Sequence, residues 1–237
     1  DVLGLVGSEM CIRDSASAAL TSSRHAASSK TCIVLDAGHG GSDPGKVGCN
    51  DALEKDINLS IVLKLKTLFE NKGYKVVLTR SDDTVPADEN SRSVKVEDLR
   101  NRVKLITDTN PVMTISIHQN SMPDHPSVHG AQVFYNAVSP GGELGMTVQG
   151  ALNGAVNAGN EKNARAIDST IYLMKNVRCP AILIECGFLS NPAETQLLLT
   201  DEYQVKLAAC IAAGLLQYHT EGANCLLYTS DAADDKA

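Results

Sequence analysis

The 237-residue sequence predicts an α/β fold, a single three-layer domain with a mostly parallel central sheet of about six strands and helices on both faces. Two observations predict it. Short apolar runs rich in β-branched residues alternate along the chain with longer segments of helical periodicity. The length suffices for one full hydrophobic core, and 43% hydrophobic with 21% charged residues is an ordinary globular composition.

The elements follow in order. Thr31–Asp36 is a buried strand that feeds Gly38 to Gly48, a loop with five glycines and Pro44. Lys55–Asn71 places Ile57, Ile61, Val62, Leu65, Leu68 and Phe69 at helical spacing, and Gly73 stops that helix. Tyr74–Arg80 (YKVVLTR) is a second strand, and the polar, Pro86-containing segment Ser81–Lys95 is a loop. Val96–Thr109 is a helix with Leu99, Val103 and Ile106 on one face. Val112–Ile117 is a strand, with His118 directly after it. Gly130–Tyr135 alternates like a strand, Gly142–Ala158 is helical, and Ile171–Met174 reads as a short strand. Ala181–Glu185 (AILIE) is a buried strand, and Ala193–Leu199 and Asp201–His219 are closing helices.

Composition narrows the function. A net charge of -7 opposes binding to nucleic acid or anionic lipid, and the absence of Trp leaves no broad stacking platform. No GxGxxG follows the first strand and no P-loop is present, so nucleotide-phosphate cradles are unsupported. The seven cysteines include no CxxC pair; Cys32, Cys179, Cys186 and Cys210 read as small apolar residues and Cys49 as a loop thiol. No apolar run reaches the ~18 residues of a membrane helix, and no secretory leader is recognisable. Residues 1–15 and 223–237 resemble translated sequencing adaptor, and 16–30 reads as a flexible Ala/Ser-rich linker. The domain is therefore expected over 31–222.

Three strands end in polar groups. The first runs into His39, another into His118, and AILIE ends in Glu185. In open α/β sheets the crevice beyond the strands' carboxyl ends is where ligands bind, so these side chains are expected in one crevice. Glu54 opens the first helix, and the glycine loop can fold it over the same strand ends. Two histidines and a carboxylate make a catalytic zinc set with a fourth position for water. A second carboxylate can move that water's proton to a leaving amine, a role Glu185 suits at the end of a buried strand. Each group also has a plainer reading: a loop histidine, a strand-end hydrogen bonder, a helix-start carboxylate. Glu185 fits a plain reading least, because an unpaired carboxylate after Ala-Ile-Leu-Ile is costly. Asp36 reads as a support for backbone or a ligand histidine, and Arg80 and Arg102 as structural hydrogen-bonding residues. Asn120 either contacts substrate or caps the turn. Iron and manganese fit the same donors on chemistry alone.

The motifs LDAGHGGSDPG, ALEKDINL, SIHQNS and LIECGFLSNPAE, in that order, resemble the zinc-dependent N-acetylmuramoyl-L-alanine amidases of the type 3 family. The stretches VEDLRNRVKLI and HGAQVFY are most similar to its germination-specific, spore-cortex branch from endospore-forming bacteria. The resemblance runs from Thr31 to Tyr218. It implies one Zn2+ held by His39, Glu54 and His118, and Glu185 as catalytic acid/base. The implied reaction cleaves the amide between the lactyl group of N-acetylmuramic acid and L-alanine of the stem peptide. The implied setting is extracytoplasmic, in the cell wall or the forespore intermembrane space. Peptide removal there precedes a deacetylase and muramic-δ-lactam formation, and some members have a lipoprotein partner. Members of the branch begin with a signal or anchor, for which adaptor-like residues stand here. Rival readings are a general autolysin, a zinc carboxypeptidase using Arg165 or Arg178 on a terminal carboxylate, and a non-catalytic peptidoglycan-binding domain. The last would have a closed structural zinc site, with His125 or His129 as a fourth ligand.

Overall fold

The computed structural model describes residues 31–88, 91–167 and 170–230, and in 220–230 the backbone only. The expected linker and N-terminal flank lie outside these residues. Six strands form one sheet: β1 (Cys32–Ala37), β2 (Lys75–Leu78), β3 (Met113–Asn120), β4 (Gln132–Tyr135), β5 (Arg165–Ala166) and β6 (Ala181–Phe188). Their order is β2-β1-β3-β6-β4-β5, parallel throughout except for the antiparallel β4–β6 pair.

The period-two alternation of strand side chains divides the core into two layers. Ile33, Leu35, Ile115, Ile117, Ile182 and Ile184 point to one face. There they meet α1 (Glu54–Asn71), α3 (Gly141–Ala155) and α6 (Asp201–Ser230), with α5 (Pro192–Leu198) at the end of β6. Val34, Ala181 and Leu183 point to the other face, under α2 (Val94–Thr109) and α4 (Tyr172–Asn176), where Ile106, Leu173, Met174 and Val177 complete a smaller cluster. Asp36, Ser116, His118 and Glu185 continue that second face toward the carboxyl ends of the strands. Polar side chains thus gather where the α2–α4 cover gives out.

The helix boundaries have local causes. Gly73, at φ +86°, follows the end of α1, a conformation that favours glycine. Asn110 closes α2 in the left-handed region and donates its N–H to Ile106 O. Asn191 caps α5 by accepting from the Glu194 N–H, with Pro192 in the first turn.

Three expectations need correction. Ile171–Met174 is not a strand: Tyr172–Asn176 is a short helix that packs Leu173 and Met174 against the sheet. A short apolar run has no period long enough to tell the two apart. The strand of that region is the two-residue β5, too brief to leave a pattern. Strands β3 and β6 run on through Asn120 and Phe188, so His118 sits within a strand rather than after it and Glu185 is not the last residue of its strand. Helix α6 runs to Ser230 rather than ending at His219. No helix among the described residues is long and apolar enough to cross a membrane.

Candidate metal centre

Strand β1 leaves the sheet at Ala37, and the chain turns at His39, whose φ of +64° swings its imidazole over the strand ends. Non-glycine residues rarely adopt this conformation, although His does so more readily than most. On β3, His118 stands beside Glu185 of β6 in parallel register. The glycine loop folds back as expected and delivers Glu54, the first residue of α1, between the two histidines. Its Oε1 is 3.0 Å from His118 Nδ1 and 3.2 Å from His39 Nε2. The rings meet edge-on, 5.1 Å between centroids.

Hydrogen bonds fix each group. Asp43 Oδ2 lies 3.0 Å from His39 Nδ1, so an Nδ1–H donated to it leaves the Nε2 lone pair facing Glu54. Glu54 Oε1 accepts from the Gln119 N–H at 3.0 Å and Oε2 from the Lys46 N–H at 2.8 Å. Asn58, one turn along α1, donates to Gly38 O at 3.1 Å and accepts from Gln119 Nε2 at 3.1 Å. Gly38 leaves room for His118, whose ring stands 2.2 Å from where a Cβ would be.

The donor set fits a metal. One ligand atom each from His39, Glu54 and His118 lies within 4.8 Å of the others. Tetrahedral zinc with bonds near 2.1 Å needs neighbouring ligands about 3.4 Å apart, close to the 3.0 and 3.2 Å here. Burial would raise the Glu54 carboxyl, but hydrogen bonds and charge from the two imidazoles hold it far below the usual range. Burial would lower His39, but Glu54 and Asp43 bring it above its ordinary value. These neighbours thus favour positive charge between the carboxylate and the rings.

Glu185 completes the group. Its Oε2 is buried without a hydrogen-bond partner. Burial pushes its carboxyl up to about 7, with the Glu54 charge adding to the rise and the imidazoles opposing it. A carboxyl poised near neutrality suits proton transfer. His39, His118 and Glu185 border a cavity of about 360 Å³, walled on one side by Leu99, Ile171, Tyr172 and Leu173.

His39, Glu54, His118 and Glu185 are therefore brought together. Asn120 is at the end of β3 and outside that cavity; its Oδ1 accepts from the Ser121 N–H at 2.7 Å. His125 and His129 stand on an exposed loop outside the donor group, and Arg165 and Arg178 are exposed and do not line the cavity. The five described cysteines are free. Asp43, Asn58 and Gln119 were not anticipated. The one sequence signal was Asn58, polar and one turn beyond Glu54 on a buried helix face.

Residues 33–217 match the N-acetylmuramoyl-L-alanine amidase family, Amidase_3. The chain is 38% identical over 192 residues to the germination-specific N-acetylmuramoyl-L-alanine amidase of Bacillus subtilis, covering 80% of each. It is 28% identical to the B. subtilis amidase LytC over 190 residues, 79% of this chain and 35% of that protein. Among solved structures, the CwlD amidase of Clostridioides difficile, in complex with the GerS lipoprotein, superposes with TM-score 0.76 and 40% identity over 80% of this chain and 98% of that one. AmiC2 of Nostoc punctiforme does so with TM-score 0.69 and 30% identity, over 81% and 98%.

Proposed function

The chain belongs to the N-acetylmuramoyl-L-alanine amidase family and is an amidase of peptidoglycan, and from that premise we propose that it works with one zinc ion held by His39, Glu54 and His118 and with Glu185 as its catalytic acid/base. The observation that carries this reading is the Glu185 carboxylate, with its Oε2 buried and unpartnered and the residue in register beside His118.

Zinc bound to this trio would supply the Lewis acidity that polarises the lactyl carbonyl and eases deprotonation of water. The chain's own groups do the rest. Glu185 takes the proton of the attacking water and delivers it to the alanine nitrogen as the C–N bond breaks. Asp43 keeps His39 in the tautomer that presents Nε2, and the Gln119 and Lys46 N–H groups orient Glu54. The Leu99, Ile171, Tyr172 and Leu173 wall keeps bulk water from one side of the scissile amide.

The likeness to the germination-specific enzyme supports a role in spore cortex. There, stem-peptide removal would leave muramic acid ready for a deacetylase and lactam closure. That setting is extracytoplasmic, and a lipoprotein partner is consistent with the complex known for CwlD amidase. The test is incubation of the full chain with purified peptidoglycan. New L-alanine amino termini and peptide-free muramic acid, abolished by chelator and restored by zinc, are expected; release that persists in chelator-treated, zinc-free protein would refute the metal assignment.

A further inference from the structure

Three consecutive carbonyls at the end of β1 turn toward two buried arginines. Arg102 of α2 donates from Nη1 to Ala37 O at 2.7 Å and from Nη2 to His39 O at 2.8 Å. Arg80 donates from Nε to Ala37 O at 2.9 Å and from Nη2 to Gly38 O at 3.2 Å. The Gly38 carbonyl also accepts from Asn58. The chain turns here, into the positive φ of His39.

The geometry points to Arg102 as a positioning residue for the metal centre: its guanidinium grips the His39 carbonyl and holds that residue's backbone where its imidazole meets Glu54 and His118. This inference rests on the metal reading above. The remaining contacts of Arg102 explain its rigidity. Nη1 also reaches Asp36 Oδ1 and Nε reaches Asp98 Oδ1, each at 2.7 Å. Asp36 in turn accepts from Thr79, just past the end of β2, and from Ser116 on β3. The guanidinium is thus anchored to its own helix and to β1, whose Asp36 is itself held from both sides, and only 2% of the side chain is exposed. Neutralising Asp36 and Asp98 needs only a cation. Reaching the Ala37 and His39 carbonyls together with both carboxylates needs the planar fork of arginine, which lysine lacks.

Arg102→Lys separates the two roles. It keeps a cation for Asp36 and gives up the bond to His39. Leu152→Ala, in the α3 core and outside the site, serves as a destabilised control. Zinc affinity is read by chelator competition at a temperature where all three proteins are folded, and geometry by the visible absorption of the cobalt-substituted forms. Arg102→Lys is expected to lose about 10- to 100-fold in zinc affinity with an altered cobalt spectrum. Leu152→Ala should keep wild-type affinity and spectrum. Amide exchange in the metal-free proteins provides an independent arm: Arg102→Lys should speed exchange at Gly40 and Gly41 and leave β3 unchanged. Wild-type affinity and spectrum in Arg102→Lys would overturn the inference. A wild-type chain that binds no zinc would instead refute the metal reading, and the exchange arm would still score the grip on the loop.

Discussion

Gly38→Ala tests the local geometry of the centre with a single methyl group. Gly38 is absent from the positions at positive φ, so its backbone accepts alanine without strain. The methyl would lie 2.2 Å from His118 Cε1, 2.3 Å from Nε2 and 2.7 Å from Nδ1. Ordinary contact begins near 3.4 Å, so the imidazole must retreat by roughly 1.2 Å or rotate away. Zinc ligands hold their distances to within about 0.2 Å, so a displacement that large removes His118 from the set. Only His39 and Glu54 would then remain as ligands. Zinc affinity is expected to fall by more than about 100-fold, beyond the usual effect of altering a residue that merely orients a ligand. Overpacking should cost about 1–3 kcal/mol of stability, which leaves a folded protein to assay. Metal content after gel filtration in dilute chelator, with a melting curve on the same sample, reads both. A folded Gly38→Ala protein that retains one zinc and most of its amidase activity would refute the placement of His118.

Gly150→Ala is the matching control. A Cβ there meets nothing within 4 Å, and the residue lies on the exposed side of α3. It should stabilise by about 0.5–1 kcal/mol, seen as a melting temperature raised by a few degrees with activity unchanged. Acid sensitivity should carry the signature of Asp36. Burial would raise this carboxyl, but Arg102, Ser116 and Thr79 bring it from 3.8 to about 2. Its folded-state value is depressed, so its contribution, about 2 kcal/mol, is present above pH 4 and lost as pH falls through about 2. Urea midpoints between pH 5 and pH 2 should show that loss, and Asp36→Asn should flatten that part of the curve; an unchanged slope in the variant would contradict it.

The fold was legible wherever a period was long enough to read. Helix α1 announced itself through Ile57, Ile61, Leu65 and Phe69, all buried. The strands announced themselves as β-branched runs such as Ile33-Val34-Leu35. The site was legible because an α/β sheet sends its strand ends to one crevice, which is enough to bring His39, His118 and Glu185 together. Its supports were less legible. Arg102 reads as a structural hydrogen-bonding residue and is one, but nothing local marks its partner Asp98, one turn away on α2 and buried with it. Their role depends on Asp36, 66 residues from Arg102 in sequence, and no local pattern encodes that contact. Asp43 likewise reads as one more polar loop residue. Only the turn at His39 brings it to the imidazole. Helix α4 was missed because Ile171-Tyr172-Leu173-Met174 is apolar on every side and too short to show a period.

The most direct test of the account is the rate of L-alanine amino-terminus release from purified peptidoglycan by the full chain and by Glu185→Gln, with zinc content measured on the same preparations. The account predicts that both proteins bind one zinc and melt at similar temperatures, while Glu185→Gln loses about 10²- to 10⁴-fold in rate. A zinc-loaded Glu185→Gln protein that cleaves at the wild-type rate would contradict it.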